Sequence, residues 1–155
     1  NPETSHVIAA LIAKFHAAKQ AKKEKVTIMG NKNVYREVIY SDELANLIYL
    51  FTKYVDADDI DKVEKGRNWV NISHEYELTL QQIAYAIADA VGYKGEIAFD
   101  GMMPGVKRKI MSNRLRDKIV TQYVPMVHVS ALTQTNFLKG ITSAYKDYLK
   151  RNHHG

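Results

Sequence analysis

The fold of this chain is organised around residues 26–51, which read VTIMGNKNVYREVIYSDELANLIYLF. The opening residues, Val26 to Ile28, are β-branched and predict a short strand. Glycine and asparagine at 30–33 favour a turn, because both residue types tolerate positive φ. Residues 35–40 predict a second strand, with Arg36 on one of its two faces. The segment therefore begins as a strand, a turn and a second strand.

A helix is predicted directly after the second strand. Ser41 is a good N-cap, and Asp42 and Glu43 suit the positive end of a helix dipole. The apolar residues that follow recur at helical spacing and are Leu44, Leu47, Ile48 and Phe51. Arg36 therefore lies on a strand that leads into a helix N-terminus, a position suited to binding an anion.

Three further helices are predicted outside this segment. The first carries an apolar stripe made of Val7, Ile8, Leu11, Ile12 and Phe15. Thr79 and Gly92 mark the start and the stop of the second. The third runs from about 137 to 149. Ser112 is predicted to cap a short helical segment of its own.

Short strands and loops connect these helices. Strands are predicted at 69–72 and 96–100, and the acidic segment 56–67 is predicted to be a surface loop, with room for one helical turn. The elements do not form a run of alternating strands and helices. We therefore expect a small mixed α/β domain of helices packed on short strands over residues 1–152, followed by a frayed tail at 153–155.

Composition limits the classes of protein to which the chain can belong. Its 155 residues contain no cysteine, which excludes disulfides and cysteine-ligated zinc and fits a cytoplasmic protein. No apolar run reaches the roughly 18 residues of a membrane span. The chain begins at Asn1 rather than at methionine, so we expect a processed product or an excerpt of a longer protein. The net charge of +5 suits an acidic ligand.

Part of that charge lies in a basic run at 19–25, at the end of the first predicted helix. Cations at a helix C-terminus complement its dipole, and we prefer this interpretation to a nucleic-acid patch. No zinc spacing, glycine-rich dinucleotide fingerprint, phosphate-binding loop or nucleophile elbow occurs. Tyr49 and Lys53 match the Tyr-x-x-x-Lys spacing of short-chain dehydrogenases, but they lie late in an apolar helix without a serine partner. We interpret that match as chance.

Three groups of residues together carry a family resemblance. The first group is Asn1-Pro2-Glu3-Thr4-Ser5-His6-Val7-Ile8 with Ala10-Leu11-Ile12-x-Lys14-Phe15-His16. The second is Val26-Thr27-Ile28-x-Gly30 with Arg36-Glu37-x-Ile39-Tyr40-x-Asp42-Glu43-Leu44-Ala45. The third is Val91-Gly92-Tyr93-Lys94-Gly95-Glu96-Ile97-x-Phe99-Asp100 with Arg108-Lys109 and Gly140-Ile141…Tyr145-x-x-Tyr148-Leu149. In this order they resemble the C-terminal half of the GDP-L-fucose synthases, epimerase/reductases of the extended short-chain dehydrogenase family. The resemblance runs from residue 1 to about 152.

The resemblance implies a substrate-binding domain without the Rossmann domain of that family. The ligand would be a GDP-sugar. The family's NADP and its Ser, Tyr and Lys of catalysis belong to the N-terminal half, so the resemblance implies that this chain alone binds no cofactor and is not catalytic on its own. Its partner would be its own Rossmann domain or another protein chain, within an oligomer or assembly. A membrane or nucleic-acid partner is not expected.

The resemblance also implies roles for individual residues. His6 matches the family's acid/base histidine, a role that imidazole suits because its pKa lies near neutrality. Lys14 and Arg36 match the basic residues that hold the diphosphate. Arg108 and Lys109 match the basic pair near the substrate.

Other interpretations of these residues remain open. His6 would be an exposed residue of a first helical turn, Arg36 a surface residue paired with Glu37 or Asp42, and the basic loop around Arg108 simply solvated. Met29 stands where the family usually has a tryptophan lining the pocket. The alternative function is therefore a non-catalytic structural or protein-interaction module in a larger assembly, whose exposed apolar face seeks a partner.

Overall fold

The computed structural model describes residues 6–73, 77–101, 107–108, 111–126 and 137–152. In these ranges the helices are α1 (Val7–Gln20), α2 (Ser41–Tyr54), α3 (Ala57–Val63), α4 (Leu80–Val91), α5 (Arg114–Tyr123) and α6 (Phe137–Asn152). The strands are β1 (Lys25–Ile28), β2 (Tyr35–Glu37), β3 (Glu77–Thr79) and β4 (Glu96–Phe99). The predicted fold class, a mixed α/β domain of helices and short strands, is confirmed. None of the described helices is both long and apolar enough to cross a membrane.

The chain divides into two compact units. Unit 1 consists of the three segments Asn1–Arg36, Leu78–Arg108 and Leu138–Gly155. Unit 2 consists of the two segments Glu37–Glu77 and Lys109–Phe137. No domain boundary was predicted inside residues 1–152. Two of the joins fall inside the short strands β2 and β3 rather than in a glycine- or proline-rich linker, so composition does not mark them.

Unit 1 is built on a parallel pair of strands. β1 and β4 are aligned from Lys25 opposite Glu96 to Ile28 opposite Phe99. Val26 and Ile28 are buried and their neighbours are exposed, as the two-residue period of a strand requires. Helices α1 and α4 pack against each other. The helical part of the core consists of Leu11, Ile12, Phe15 and Ala18 of α1, Leu80, Ile83, Ala84, Ile87, Ala88 and Val91 of α4, and Ile141 of α6.

Both ends of α4 are fixed by residues that the sequence predicted. Thr79 Oγ1 accepts a hydrogen bond from the Gln82 amide at 3.1 Å, and Gln82 Oε1 accepts one from the Thr79 amide at 2.8 Å. Gly92 ends the helix with φ +77°. Lys19, from the basic run, donates to the Val91 carbonyl at 2.8 Å. Lys19 lies in the last turn of α1, as the preferred interpretation expects, but the carbonyl that it satisfies belongs to the C-terminus of α4.

Replacing Thr79 by alanine is expected to lower the free energy of unfolding by about 1 kcal/mol, because one amide of the first turn of α4 loses its acceptor. Ser41→Ala is the matched control. Ser41 lies at the start of α2, and its hydroxyl makes no capping bond there. Its removal should therefore change the free energy of unfolding by less than about 0.5 kcal/mol. Urea unfolding followed by circular dichroism measures both. Equal losses in the two variants would contradict the assignment of Thr79 as the cap.

Unit 2 has a core of its own. Helices α3 and α5 pack together, and α2 contributes three buried residues to the same core. The buried residues of this core are Leu47, Leu50, Phe51, Ile60, Leu115, Ile119, Val120 and Val124. Leu47 and Ile119 are among the most completely buried side chains of the described chain. The helical spacing predicted Leu47 and Phe51 correctly, whereas Ile48 is 48% exposed.

Two predictions about local structure are wrong in unit 2. Helix α2 begins at Ser41 itself, with Tyr40 at the N-cap, and no side chain in the described ranges makes the capping bond. The predicted cap is therefore one residue too far into the helix. Residues 69–72 form no strand. Val70 and Ile72 pack against the core of unit 2, so alternate side chains face the core as they would in a strand. In the described residues, however, no partner strand pairs with this backbone.

The acidic segment 56–67 contains more helix than predicted. It holds α3, a helix of seven residues. Asp59 Oδ2 accepts a hydrogen bond from the Asp56 amide at 3.1 Å, and Lys62 forms an ion pair with Asp59 at 2.9 Å. These two contacts lower the pKa of the Asp59 carboxyl, the backbone bond more than the ion pair. Local hydrogen bonding thus stabilises a helix in a segment whose composition is typical of a loop.

Candidate functional site

A cleft of about 890 Å³ opens in unit 1. Its walls come from α1, the end of β1 and the turn that follows, β2, the start of α4, and α6. The lining residues are Val7, Ala10, Leu11, Ala13, Lys14, Ala17, Ile28, Met29, Gly30, Asn31, Val34, Arg36, Leu80 and Tyr148. Two of them are cations and none is acidic. The cleft therefore combines a mainly apolar surface with positive charge.

The two cations of the cleft are the predicted diphosphate ligands, Lys14 and Arg36. Lys14 is exposed on α1, and its Nζ donates to the Thr27 carbonyl at 2.6 Å. Arg36 is half-buried on β2 and donates from a terminal nitrogen to the Tyr35 carbonyl at 2.7 Å. The structure thus brings together two residues that are far apart in sequence. Ammonium and guanidinium groups on one cleft surface favour a phosphate-bearing ligand.

The turn after β1 forms one wall of the cleft. Gly30 has φ +115°, a conformation that glycine adopts without strain. A Cβ atom at this position would lie 3.3 Å from Leu80 Cδ2, so the turn packs closely on the start of α4. The Leu80 amide in turn donates to the Val34 carbonyl at 2.8 Å. These contacts fix the backbone of the wall that carries Met29 and Asn31.

An aromatic cluster adjoins the opposite side of the cleft. Tyr148 of α6 lines the cleft and stacks on Tyr145, with ring centroids 6.4 Å apart. His16 lies edge-on to Tyr148 at 5.3 Å, and its Nδ1 lies 3.0 Å from the Tyr145 hydroxyl oxygen. Burial, and to a lesser extent Tyr148, raises the pKa of the Tyr145 hydroxyl. His16 and Tyr148 both belong to the motifs that carry the family resemblance, and neither was predicted to be a site residue.

The remaining predicted site residues lie outside the lining of the cleft. His6 is exposed at the N-cap position of α1, directly before the lining residue Val7, and its carbonyl accepts a bond from the Ala10 amide at 3.0 Å. Arg108 is exposed. It follows Lys107, whose carbonyl accepts a bond from the Tyr35 amide at 2.9 Å, next to Arg36 in the chain. Lys109 lies outside the described residues.

Lys53 of the Tyr49-x-x-x-Lys53 pair interacts with two tyrosines, Tyr54 and Tyr49. Lys53 Nζ lies 5.8 Å from the centre of the Tyr49 ring and 5.2 Å from that of Tyr54. A hydrogen bond with Tyr54 is the main cause of the raised pKa of Lys53. Tyr49 is 59% exposed. The pair therefore lies on an open surface of α2, which favours the interpretation of the match as chance.

The turn after β1 does not fit a dinucleotide cofactor. A Rossmann pyrophosphate site needs free backbone amides on a glycine-rich turn that opens a helix. Gly30 is the only glycine of the turn, its amide already donates to Asp100 Oδ1 at 2.8 Å, and the chain continues into β2 rather than a helix. No group of His, Asp or Glu in the described ranges could hold a metal ion.

Comparisons with known proteins agree with the sequence resemblance. Residues 1–65 match the NAD dependent epimerase/dehydratase family. A probable GDP-L-fucose synthase 1 of Oryza sativa subsp. japonica is 30% identical over 149 residues, which cover 94% of this chain and 42% of that protein. The chain therefore spans less than half the length of this relative.

Solved structures show the same fold. A GDP-6-OMe-4-keto-L-xylo-heptose reductase from C. jejuni superposes with a TM-score of 0.77 at 23% identity, over 96% of this chain and 49% of that one. A GDP-L-fucose synthetase from Naegleria fowleri bound to NADP superposes with a TM-score of 0.71 at 22% identity, over 99% of this chain and 43% of that one. The predicted resemblance is confirmed, and the chain is similar over nearly its whole length to a part of the GDP-L-fucose synthases.

Proposed function

We propose that this chain is the GDP-sugar-binding part of a GDP-L-fucose synthase-like epimerase/reductase. The observation that carries the proposal is the position of Lys14 and Arg36 on one mainly apolar cleft. In this proposal the diphosphate of the ligand lies between the two cations, and the sugar or the base lies against the apolar surface. NADP, the cofactor of one structural relative, would be bound by residues outside this chain.

Each of the two cations makes one hydrogen bond to a neutral acceptor that a phosphate would replace. Each donates to a backbone carbonyl, Lys14 to Thr27 and Arg36 to Tyr35. A phosphate oxygen carries more negative charge than a carbonyl oxygen, so charge-assisted bonds to it are stronger. The cleft lining contains no carboxylate in the described ranges that would repel the ligand.

His6 is proposed as the acid/base group of the epimerisation. It precedes Val7, which lines the cleft, so the imidazole is attached one residue from the cleft rim. Its backbone is extended, and its side chain makes no capping bond to α1 within the described residues. The ring is therefore not committed to stabilising the helix. Histidine is the side chain that most often acts as a general acid or base in enzymes.

Arg36→Ala and Lys14→Ala are each expected to weaken GDP binding roughly tenfold or more, because each removes a charge-assisted bond to phosphate. The measurement is a titration of the isotope-labelled protein with GDP, followed through backbone amide chemical shifts. In the wild-type protein the shifted amides should surround Lys14, Met29 and Arg36. Raising the salt concentration should weaken binding, because these charges lie near solvent.

The matched control is Lys146→Ala, which removes one positive charge from the exposed surface of α6 in the same unit. It should leave the GDP dissociation constant unchanged within about twofold, since the lost charge lies outside the cleft lining. An equal loss in all three variants would show that net charge rather than the cleft attracts GDP. A flat titration of the wild-type protein at millimolar GDP would overturn the proposal.

A further inference from the structure

The wall of the cleft formed by residues 29–31 has a conformation that its own sequence does not fix. Gly30 has φ +115°, and a glycine can leave this region of backbone space at little cost. Met29 is 67% exposed and gains little from packing. Asn31 Oδ1 accepts a hydrogen bond from the Asn33 amide at 2.9 Å, but this bond does not involve Gly30. Another part of the chain must hold the wall in place.

Asp100, the residue that follows β4, holds the turn in place. Its Oδ1 accepts a hydrogen bond from the Gly30 amide at 2.8 Å. Its own amide donates to the Ile28 carbonyl at 3.1 Å, which extends the β1–β4 ladder by one step. The Gly101 amide then donates to the Gly30 carbonyl at 3.2 Å. Both backbone polar groups of Gly30 are thus bonded to the segment that follows β4.

Leu80 limits the turn from the other direction. It is 8% exposed, and its Cδ2 would lie 3.3 Å from a Cβ atom on Gly30. The turn therefore lies close to the start of α4, with little room for a side chain at position 30, and the bond to Asp100 joins it to the segment after β4. The two contacts together define where Met29 and Asn31 lie in the cleft lining.

We infer that Asp100 is a positioning residue of the cleft, which fixes the 29–31 wall through the Gly30 amide without lining the cleft itself. The inference about geometry depends only on the contacts of Gly30, and its consequence for ligand binding rests on the proposed GDP site. A carboxylate is suited to this task because a charged acceptor holds an amide more strongly than a neutral one.

The test compares Asp100→Ala with Asp100→Asn, in which the amide oxygen remains an acceptor at the same position. Hydrogen exchange of the Gly30 amide is measured first, without ligand. Exchange should accelerate roughly tenfold or more in Asp100→Ala and clearly less in Asp100→Asn, which keeps an acceptor but loses its charge. Asp100 is exposed, and unfolding by urea should show that both variants remain folded.

GDP titration then tests the consequence for binding. We expect a several-fold weaker dissociation constant for Asp100→Ala and a value near that of the wild-type protein for Asp100→Asn. Wild-type exchange at Gly30 in Asp100→Ala would overturn the inference, and so would an equal acceleration in both variants. If GDP does not bind the wild-type protein, the proposed function fails, while the exchange measurement still decides whether Asp100 holds the turn.

Discussion

Phe15→Ala is expected to lower the free energy of unfolding by about 3–5 kcal/mol, the largest loss that we predict for this chain. Phe15 has no exposed surface, and its ring centroid lies 5.4 Å from that of Tyr93, in a tilted arrangement. Truncation removes the buried ring and leaves a cavity between α1 and its neighbours. The dense packing of the surrounding side chains would prevent the cavity from closing fully. Equilibrium urea unfolding measures the loss.

Two controls show whether the loss comes from this cavity or would follow any truncation of a large side chain in unit 1. Phe15→Leu keeps most of the apolar volume and should cost clearly less than the alanine variant. Tyr85→Ala removes a large side chain from α4 that is 50% exposed, and should cost well under half as much as Phe15→Ala. A loss below about 1 kcal/mol for Phe15→Ala would show that this part of the core is loosely packed.

Gly95→Ala is expected to destabilise the protein by about 1–3 kcal/mol through steric overlap. A Cβ atom at this position would lie 2.6 Å from the Glu24 carbonyl oxygen and would also overlap the Tyr93 hydroxyl. The carbonyl cannot move freely, because it accepts a bond from the Glu96 amide at 2.7 Å at the start of β4. The added methyl group would therefore push Gly95 away from Glu24, at the point where the paired strands β1 and β4 begin. Thermal unfolding of the variant measures the cost.

Tyr93→Phe tells the two overlaps apart. The Tyr93 hydroxyl is buried and has no hydrogen-bond partner among the described residues, so its removal alone should be neutral or slightly stabilising. In the double variant with Gly95→Ala, the part of the loss due to the hydroxyl should be recovered, and the part due to the Glu24 carbonyl and to Cζ of the ring should remain. Full recovery would contradict the backbone overlap at Glu24.

Helix positions could be predicted from sequence because their determinants are local. The apolar spacing around Phe15 and the cap and stop residues Thr79 and Gly92 act within one or two helical turns. The predicted strand at 69–72 failed because a strand needs a partner, which no local pattern specifies. The N-cap at Ser41 failed by a single residue, which is within the range over which helix ends are ambiguous.

The site could be predicted only in part. Lys14 and Arg36 were chosen by family resemblance, and their position on one cleft depends on the contacts of β1 with its neighbours rather than on their spacing. Leu80 and Tyr148 line the cleft, although neither was predicted to be a site residue. Asp100 belonged to a recognised motif, yet its bond to Gly30 joins the ends of two strands that are distant in the chain. Such contacts require the tertiary fold.

The three-segment construction of unit 1 has a consequence for how the molecule folds. The residues paired across β1 and β4 are about 70 positions apart, so closing the loop between them costs chain entropy before any strand bond forms. Helices such as α1 and α4 depend on local contacts and can form earlier. During synthesis β1 leaves the ribosome long before β4 exists, and α6, which carries Tyr148, comes later still. The cleft is therefore expected to be completed in the last steps of folding.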